Sequence, residues 1–354
     1  MKILITGAKG QLGLELQKQL QEANSHAPNL YEVFPTNHQT LDITNFENVQ
    51  VMLEKVKPDV VINCAAHTGV DQCEEEKERA DAINHLGPKY LATVCESIGA
   101  KLVQVSTDYV FSGAFDTGTC VETKKKEAIE QGVTEQGVTE EDIREEVTAG
   151  KTKIEVMEEI EDGTKKRLLA KRQAMAEEST PWVEDSSIDP QSVYGLTKAK
   201  GEETVRTLCT QHFIIRTAWL YGEGANFVRT MLQLAKTHPR LTVVADQYGN
   251  PTSTKDLATA IINLIQTEHY GTYHGTCEGT CSWYDFAKEI FRLSERAIDV
   301  VPVTSEAFPR PAKRPHYSSL ENAHLKAIGM NTFRPWQEAL ADYLESELNT
   351  RVLK

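Results

Sequence analysis

The sequence predicts an α/β protein: a doubly wound parallel sheet, a smaller C-terminal lobe, and an inserted charged, mainly helical segment. Three observations lead there. A strand-like run, Lys2–Thr6, enters the glycine-rich turn Gly7-Ala8-Lys9-Gly10-Gln11-Leu12-Gly13 and then an amphipathic stretch. Apolar runs and helical patterns alternate from there to residue 118, as parallel βαβ units do. A block at 119–180, without Phe, Tyr or Trp and dense in Glu and Lys, then interrupts an otherwise ordinary globular composition.

Composition narrows the class. The 354 residues are 40% hydrophobic and 25% charged, enough for a sizeable core. A net charge of −14 argues against nucleic acid or an anionic membrane surface as partner. No apolar run is long enough to cross a bilayer. Met1 passes directly into a strand rather than a signal peptide. The seven cysteines (64, 73, 95, 120, 209, 277 and 281) form no CxxC pair, and Cys277 with Cys281 lacks the second half of a zinc site. Free thiols in a reducing cytoplasm are expected.

Taken in order, GxxGxxG between strand and helix is a Rossmann-type dinucleotide turn. Gly7 allows the tight turn, Gly10 lets the amides of the Gln11–Leu12 helix start approach a pyrophosphate, and Gly13 permits close helix–sheet contact. A second strand, Leu30–Thr36, ends at Asn37-His38, where neither a carboxylate nor an arginine chooses between NADH and NADPH. Asp42 and Ile43 either touch the adenine or, for Asp42, cap a helix from Asn45. Asp59–Asn63 reads as a buried parallel strand. At its carboxyl end, Ala65, Ala66 and Thr68 leave room for a nucleotide, and His67 is either a substrate contact or polar filler. A helical stretch over Cys73–Ile98 carries Asn84, a candidate bridge to active-site solvent. The strand Lys101–Val105 opens into Ser106–Phe111, where Thr107 can hold a substrate oxygen and Asp108 lies beside it.

Tyr194 and Lys198 stand four apart after Pro190, on one face of a helix-compatible run. A phenol is a reluctant acid–base group near neutrality, and an ammonium one turn away is expected to lower its pKa. The pair suits proton transfer to or from a hydroxyl while another agent moves hydride.

Together the glycine turn, Asn63–Asp71, Ser106–Phe111 and Tyr194–Lys198 resemble the dTDP-4-dehydrorhamnose reductase family of extended short-chain dehydrogenases. Arg216–Gly222, Asn226–Val228, Asp246–Thr252 and Arg314-Pro315 agree with it. The resemblance implies catalytic Tyr194, Lys198 and Thr107, with NADPH or NADH reducing the C4 ketone of dTDP-4-dehydro-L-rhamnose. It selects Trp219 as a face for a sugar ring rather than a core residue. Asn226, Gln247 and Arg314 become contacts for diphosphate or base, Arg314 suiting phosphate oxygens. It also implies Mg²⁺ at a carboxylate-bound homodimer contact in some members, and no residues are assigned to that here. Two other readings share these motifs: a nucleotide-sugar epimerase or dehydratase, and an NADP-binding regulatory subunit of methionine adenosyltransferase.

Residues 1–118 and 181–220 are thus read as the NAD(P)-binding domain, and 221–354 as mainly substrate lobe with elements returning to it. Gly271–His274 reads as a strand and Ser282–Arg292 as a capped helix, both placed in that lobe, with Trp336–Leu348 closing the chain. The block 119–180, longer than the family's loop, carries the repeat Gln131–Glu135/Gln136–Glu140 and a helix start at Thr139–Asp142. Lys165–Glu178 is helix-forming, and Lys151–Ile160 before Asp162-Gly163 could equally make a hairpin. Emerging near the substrate mouth, it is read as a solvated insertion, with a lid or the docking of an unidentified partner as its hypothetical role.

Overall fold

A computed structural model describes residues 1–115 and 153–352 of the chain. Five strands form most of the main sheet: β1 (Lys2–Thr6), β2 (Glu32–Pro35), β3 (Val60–Asn63), β4 (Lys101–Thr107) and β5 (His212–Thr217). A sixth, Gly271–His274, joins the far edge, giving the order 2-1-3-4-5 and then this strand, all parallel. That strand therefore belongs to the main sheet and not to the C-terminal lobe.

Alternation along the strands explains the double winding. Ile3, Ile5, Ile62, Val103 and Phe213 point to one core, with Leu12, Leu16 and Leu20 of α1 (Gln11–His26). Leu4, Val61, Leu102 and Ile214 point to the other, with Val49 and Leu53 of α2 (Phe46–Val56). Both faces are covered, so the strands read as unbroken apolar runs.

The helix expected over Cys73–Ile98 is broken. It runs as α3 (Val70–Glu75), α4 (Lys77–Asp81), one π-helical turn (Ala82–Leu86) and α5 (Gly87–Ile98). Glu76, at φ −105 and ψ 49, makes the first break, which nothing in the apolar spacing announces. Further on come α6 (Lys153–Glu178) and α7 (Val193–Leu208). The hairpin reading of Lys151–Ile160 gives way to the helix α6, while the tandem repeat and the Thr139–Asp142 helix start lie outside the described residues. Gly163 sits inside α6 with nothing within 4 Å of where a Cβ would lie, so it neither breaks the helix nor packs it.

Of the remaining elements, the helix Thr254–Leu264 returns to the sheet and packs with α1, and the others include the pieces of a smaller lobe. Arg240–Val244 pairs in parallel with Asp299–Val303, and the helix Trp283–Leu293 begins at a capping box of Ser282 and Asp285, as its spacing predicts. No described helix is long and apolar enough to cross a membrane.

Candidate active site

The order of strands reverses between β1 and β3, so the crevice beyond their carboxyl ends is where a ligand of this sheet binds. The backbone there is shaped by its glycines. Gly7 takes φ +60, and a Cβ on it would come within 2.7 Å of the Ala65 nitrogen. At Gly13 a Cβ would meet the Gly7 carbonyl oxygen at 2.6 Å, so the start of α1 and the turn can only close this tightly without side chains. A cavity of about 540 Å³ results, lined by Gly10, Gln11, Leu12, Gly13, Ala66 and Thr68 on one side. Buried in this wall are polar atoms with no partner among the described residues: Gln11 Oε1, Asp108 Oδ2 and Thr217 Oγ1. Such atoms are costly unless a bound molecule satisfies them, and a dinucleotide fits both them and the glycine cradle.

Across the cavity lie Thr107, Tyr194 and Lys198. Ser192 accepts from Gly195 N at 3.2 Å to start α7, which puts Tyr194 in its first turn and Lys198 one turn later. Both are buried, with Tyr194 packed edge-on against Tyr109 at 5.5 Å between ring centroids. Lys198 Nζ donates to the Val105 carbonyl at 2.5 Å. Thr107 Oγ1 donates to Asp108 Oδ1 at 2.9 Å. Asn84, in the π-helical turn, accepts from His67 N at 2.8 Å and donates to Thr197 Oγ1 at 3.2 Å, tying the loop after β3 to α7. It braces the site rather than reaching solvent.

The electrostatics depart from the sequence expectation. Burial pushes the Tyr194 phenol up, with the neighbouring Thr107 hydroxyl opposing it, and lysine does not bring it down. Burial also lowers Lys198 to about 8, against the pull of Glu202. Low-dielectric surroundings disfavour the charged form of both groups. Tyr194 is accordingly held as a neutral hydroxyl, the form that can give a proton away. Burial raises Asp108 as well, to about 6, despite the hydrogen bond from Thr107.

A second cavity of about 680 Å³ adjoins the first, sharing Tyr109 and Trp283. It is bounded by Asp71, Arg172, Gln247, Glu306, Arg310 and Arg314, among others.

The sequence matches the model of the RmlD substrate binding domain over residues 1–157 and 174–349. The chain belongs to this family. It is 36% identical over 345 residues to the spore coat polysaccharide biosynthesis protein SpsK of Bacillus subtilis, covering 97% of each chain. A crystal structure of a dTDP-4-dehydrorhamnose reductase from Clostridium acetobutylicum superposes with a TM-score of 0.77 at 43% identity, covering 98% of this chain and 100% of the other. The dTDP-4-dehydrorhamnose reductase of Bacillus anthracis, solved in complex with NADP, gives 0.76 at 34% identity and covers 98% and 99%. The RmlD match is interrupted only at 158–173, within α6, a narrower break than the block 119–180.

Not every residue that the RmlD resemblance implies reaches the cleft. Gln247 and Arg314 border the second cavity; Gln247 Nε2 donates to Ser305 Oγ at 3.2 Å, and Arg314 Nη2 to Asp71 Oδ2 at 2.8 Å. Trp219 borders the first cavity at φ +46, a strained value for a non-glycine residue. Its indole stacks on Trp283 at 3.6 Å, and a Cβ on Gly249 would come within 2.8 Å of its Cε2. One ring face is thus covered by Trp283, while the residue still borders the cavity. Asn226 is corrected: it caps the helix Phe227–Leu234, accepting from Arg229 N at 3.0 Å and donating to Gly222 O at 2.6 Å. Asp42 neither lines the cleft nor caps α2, whose cap is Asn45; its Oδ1 closes a turn with Thr44 N at 2.9 Å. Ile43 is buried against Gly87, and Ala65 packs behind Gly7. His67 pairs with Glu76 at 3.3 Å. Among the described residues no group of three or more His, Cys, Asp or Glu is placed to hold a metal ion. Sequence reasoning missed Trp283, Arg172 and Arg310, which lie in stretches read as lobe and insertion, and Thr217, which sits inside the quoted motif Arg216–Gly222 without having been singled out.

Proposed function

We propose that the chain reduces the C4 ketone of dTDP-4-dehydro-L-rhamnose to dTDP-L-rhamnose, using NADPH or NADH. The observation that carries this is the convergence of Tyr194, Lys198 and Thr107 on one cavity with the glycine turn. In this reading Gly10, Gln11, Leu12, Gly13, Ala66 and Thr68 hold the dinucleotide, and the B. anthracis relative with NADP makes NADPH the first choice. The reduced nicotinamide, when bound, supplies hydride. Thr107 orients the C4 carbonyl by hydrogen bonding. As charge develops on the C4 oxygen, Tyr194 Oη gives it a proton. The phenolate left behind lies one turn from Lys198, whose ammonium stabilises it until solvent returns the proton. The neutral state imposed on Tyr194 by burial is what this direction of proton transfer needs.

Residues 1–118 and 181–220, joined by Gly271–His274, would form the cofactor half, with most of 221–354 forming the substrate half. A cytoplasmic location agrees with the thiols, since all six described cysteines are unpaired. The deciding experiment follows NADPH and NADH absorbance with the dTDP-4-keto sugar and identifies the product. One reduced cofactor consumed per dTDP-rhamnose formed is expected. Conversion of the sugar without net oxidation of added cofactor would instead mean an epimerase or dehydratase.

A further inference from the structure

The second cavity collects positive charge in a protein whose net charge is −14. Arg172, Arg310, Lys313 and Arg314 line it, against the carboxylates of Asp71 and Glu306. Arg314 is anchored on Asp71 through Nη2, while its Nη1 is buried with no partner among the described residues. Arg172 lies against Asp246, a fully buried carboxylate that accepts from Ser305 N at 2.9 Å and Ser305 Oγ at 2.6 Å, and its own Nη1 is buried with no hydrogen-bond partner among the described residues. A guanidinium carries five N–H donors in a planar fork, so one occupied edge leaves others to face the cavity.

What sets Arg172 apart is its origin. It lies on α6, in the stretch 158–173 that the family model does not match. That helix is seated on the lobe rather than projecting from it. Leu169, Ala170 and Gln173 border a groove with Tyr248, and Ala176 is buried with Tyr248 and Tyr317. Tyr317 Oη donates to Ser179 O at 3.1 Å just beyond the helix end. The side chain of Arg172 is only 17% exposed, so the position is built and not a surface arginine folded inward by chance.

We infer that Arg172 is a substrate-binding residue that the inserted helix adds to this chain's cleft, where it hydrogen-bonds the diphosphate of the nucleotide sugar. Paired phosphate groups offer several accepting oxygens that a guanidinium can meet with two parallel N–H groups, and the unpartnered Nη1 of Arg172 leaves a donor for them. The inference rests on the cleft being a nucleotide-sugar site, but not on the reaction carried out there.

The test is calorimetric binding to the full chain, with thymidine diphosphate as ligand and thymidine as competitor. Arg172→Ala should weaken thymidine diphosphate by roughly 10- to 100-fold, the worth of one charge-assisted hydrogen bond. Thymidine and NADPH should change by less than about 2-fold, since they lack the contact. Arg172→Lys should recover part of the loss, and Arg167→Ala on the exposed side of the same helix should have no effect. Equal weakening of thymidine and thymidine diphosphate by Arg172→Ala would mean that the helix merely supports the lobe, and would overturn the assignment. So would no change in either ligand. Because binding is read without turnover, a chain that binds thymidine diphosphate through Arg172 yet does not reduce the keto sugar would keep this inference and sink the proposed reaction.

Discussion

Tyr194 and Asp108 lie close together in the cavity wall, and burial moves both towards their neutral forms. For Tyr194 the consequence is kinetic. Tyr194→Phe keeps the ring and its packing on Tyr109 but removes the proton, so single-turnover hydride transfer should slow by on the order of 10²–10⁴. The NADPH dissociation constant should stay within about 2-fold, and near-normal turnover would remove Tyr194 from its role. For Asp108 the consequence is thermodynamic. Its folded pKa, about 6, lies above the ordinary carboxylate value, so the folded state holds a proton that the unfolded chain releases as pH rises from about 4 to about 6. Wild-type stability should therefore fall across that window, and Asp108→Asn should escape the fall. Denaturation at pH 4 and pH 7 should show the variant gaining on wild type by on the order of 1–3 kcal/mol at the higher pH. A difference independent of pH would show that Asp108 stays ionised throughout. The presence of these groups at a strand end was legible in the sequence. Their titration was not, because burial is a property of what the fold piles on top of them.

At the level of elements, α7 is pressed closer to its neighbours than a helix with a full set of Cβ atoms allows. A Cβ at Gly201 would meet the Asn84 carbonyl oxygen of the π-helical turn at 2.2 Å. Intrinsic propensity favours Ala over Gly in a helix interior by ~0.5–1 kcal/mol, whereas overpacking a tight contact costs ~1–3 kcal/mol. Gly201→Ala should therefore destabilise on balance. Gly163→Ala in α6, where a Cβ meets nothing within 4 Å, should show the propensity gain alone. Opposite signs in chemical denaturation check the pair; the same sign for both would refute the close-approach argument. Strands β1, β3 and β4 and the capped helices were readable because burial on both faces and capping chemistry leave local marks. The break at Glu76 and the π turn at Asn84 were not, since helical spacing continues through both. Asn226 was misread although the signal was present: an Asn ahead of Phe227-Val228 is an ordinary helix cap. Arg172 had no signal, being one cation in a charge-dense stretch until the helix is docked.

Over the whole molecule, the two cavities meet at the stacked pair Trp219 and Trp283, one following β5 and the other opening a lobe helix. The protein has four tryptophans, and Trp336 does not line either cavity. NADPH titration should change the indole emission, Trp219→Phe or Trp283→Phe should abolish most of that change, and Trp336→Phe should preserve it. Retention of the full change in both cleft variants would place the nucleotide away from the stacked pair. The sheet also constrains how this protein can be rebuilt. Its sixth strand arrives from far along the chain, laying Tyr273 beside Ile215 and His274 beside Arg216. A chimera that takes everything after residue 220 from a relative would graft a foreign edge onto the native sheet, so the natural crossover points enclose Gly271–His274 with the first half and exchange only the segments on either side.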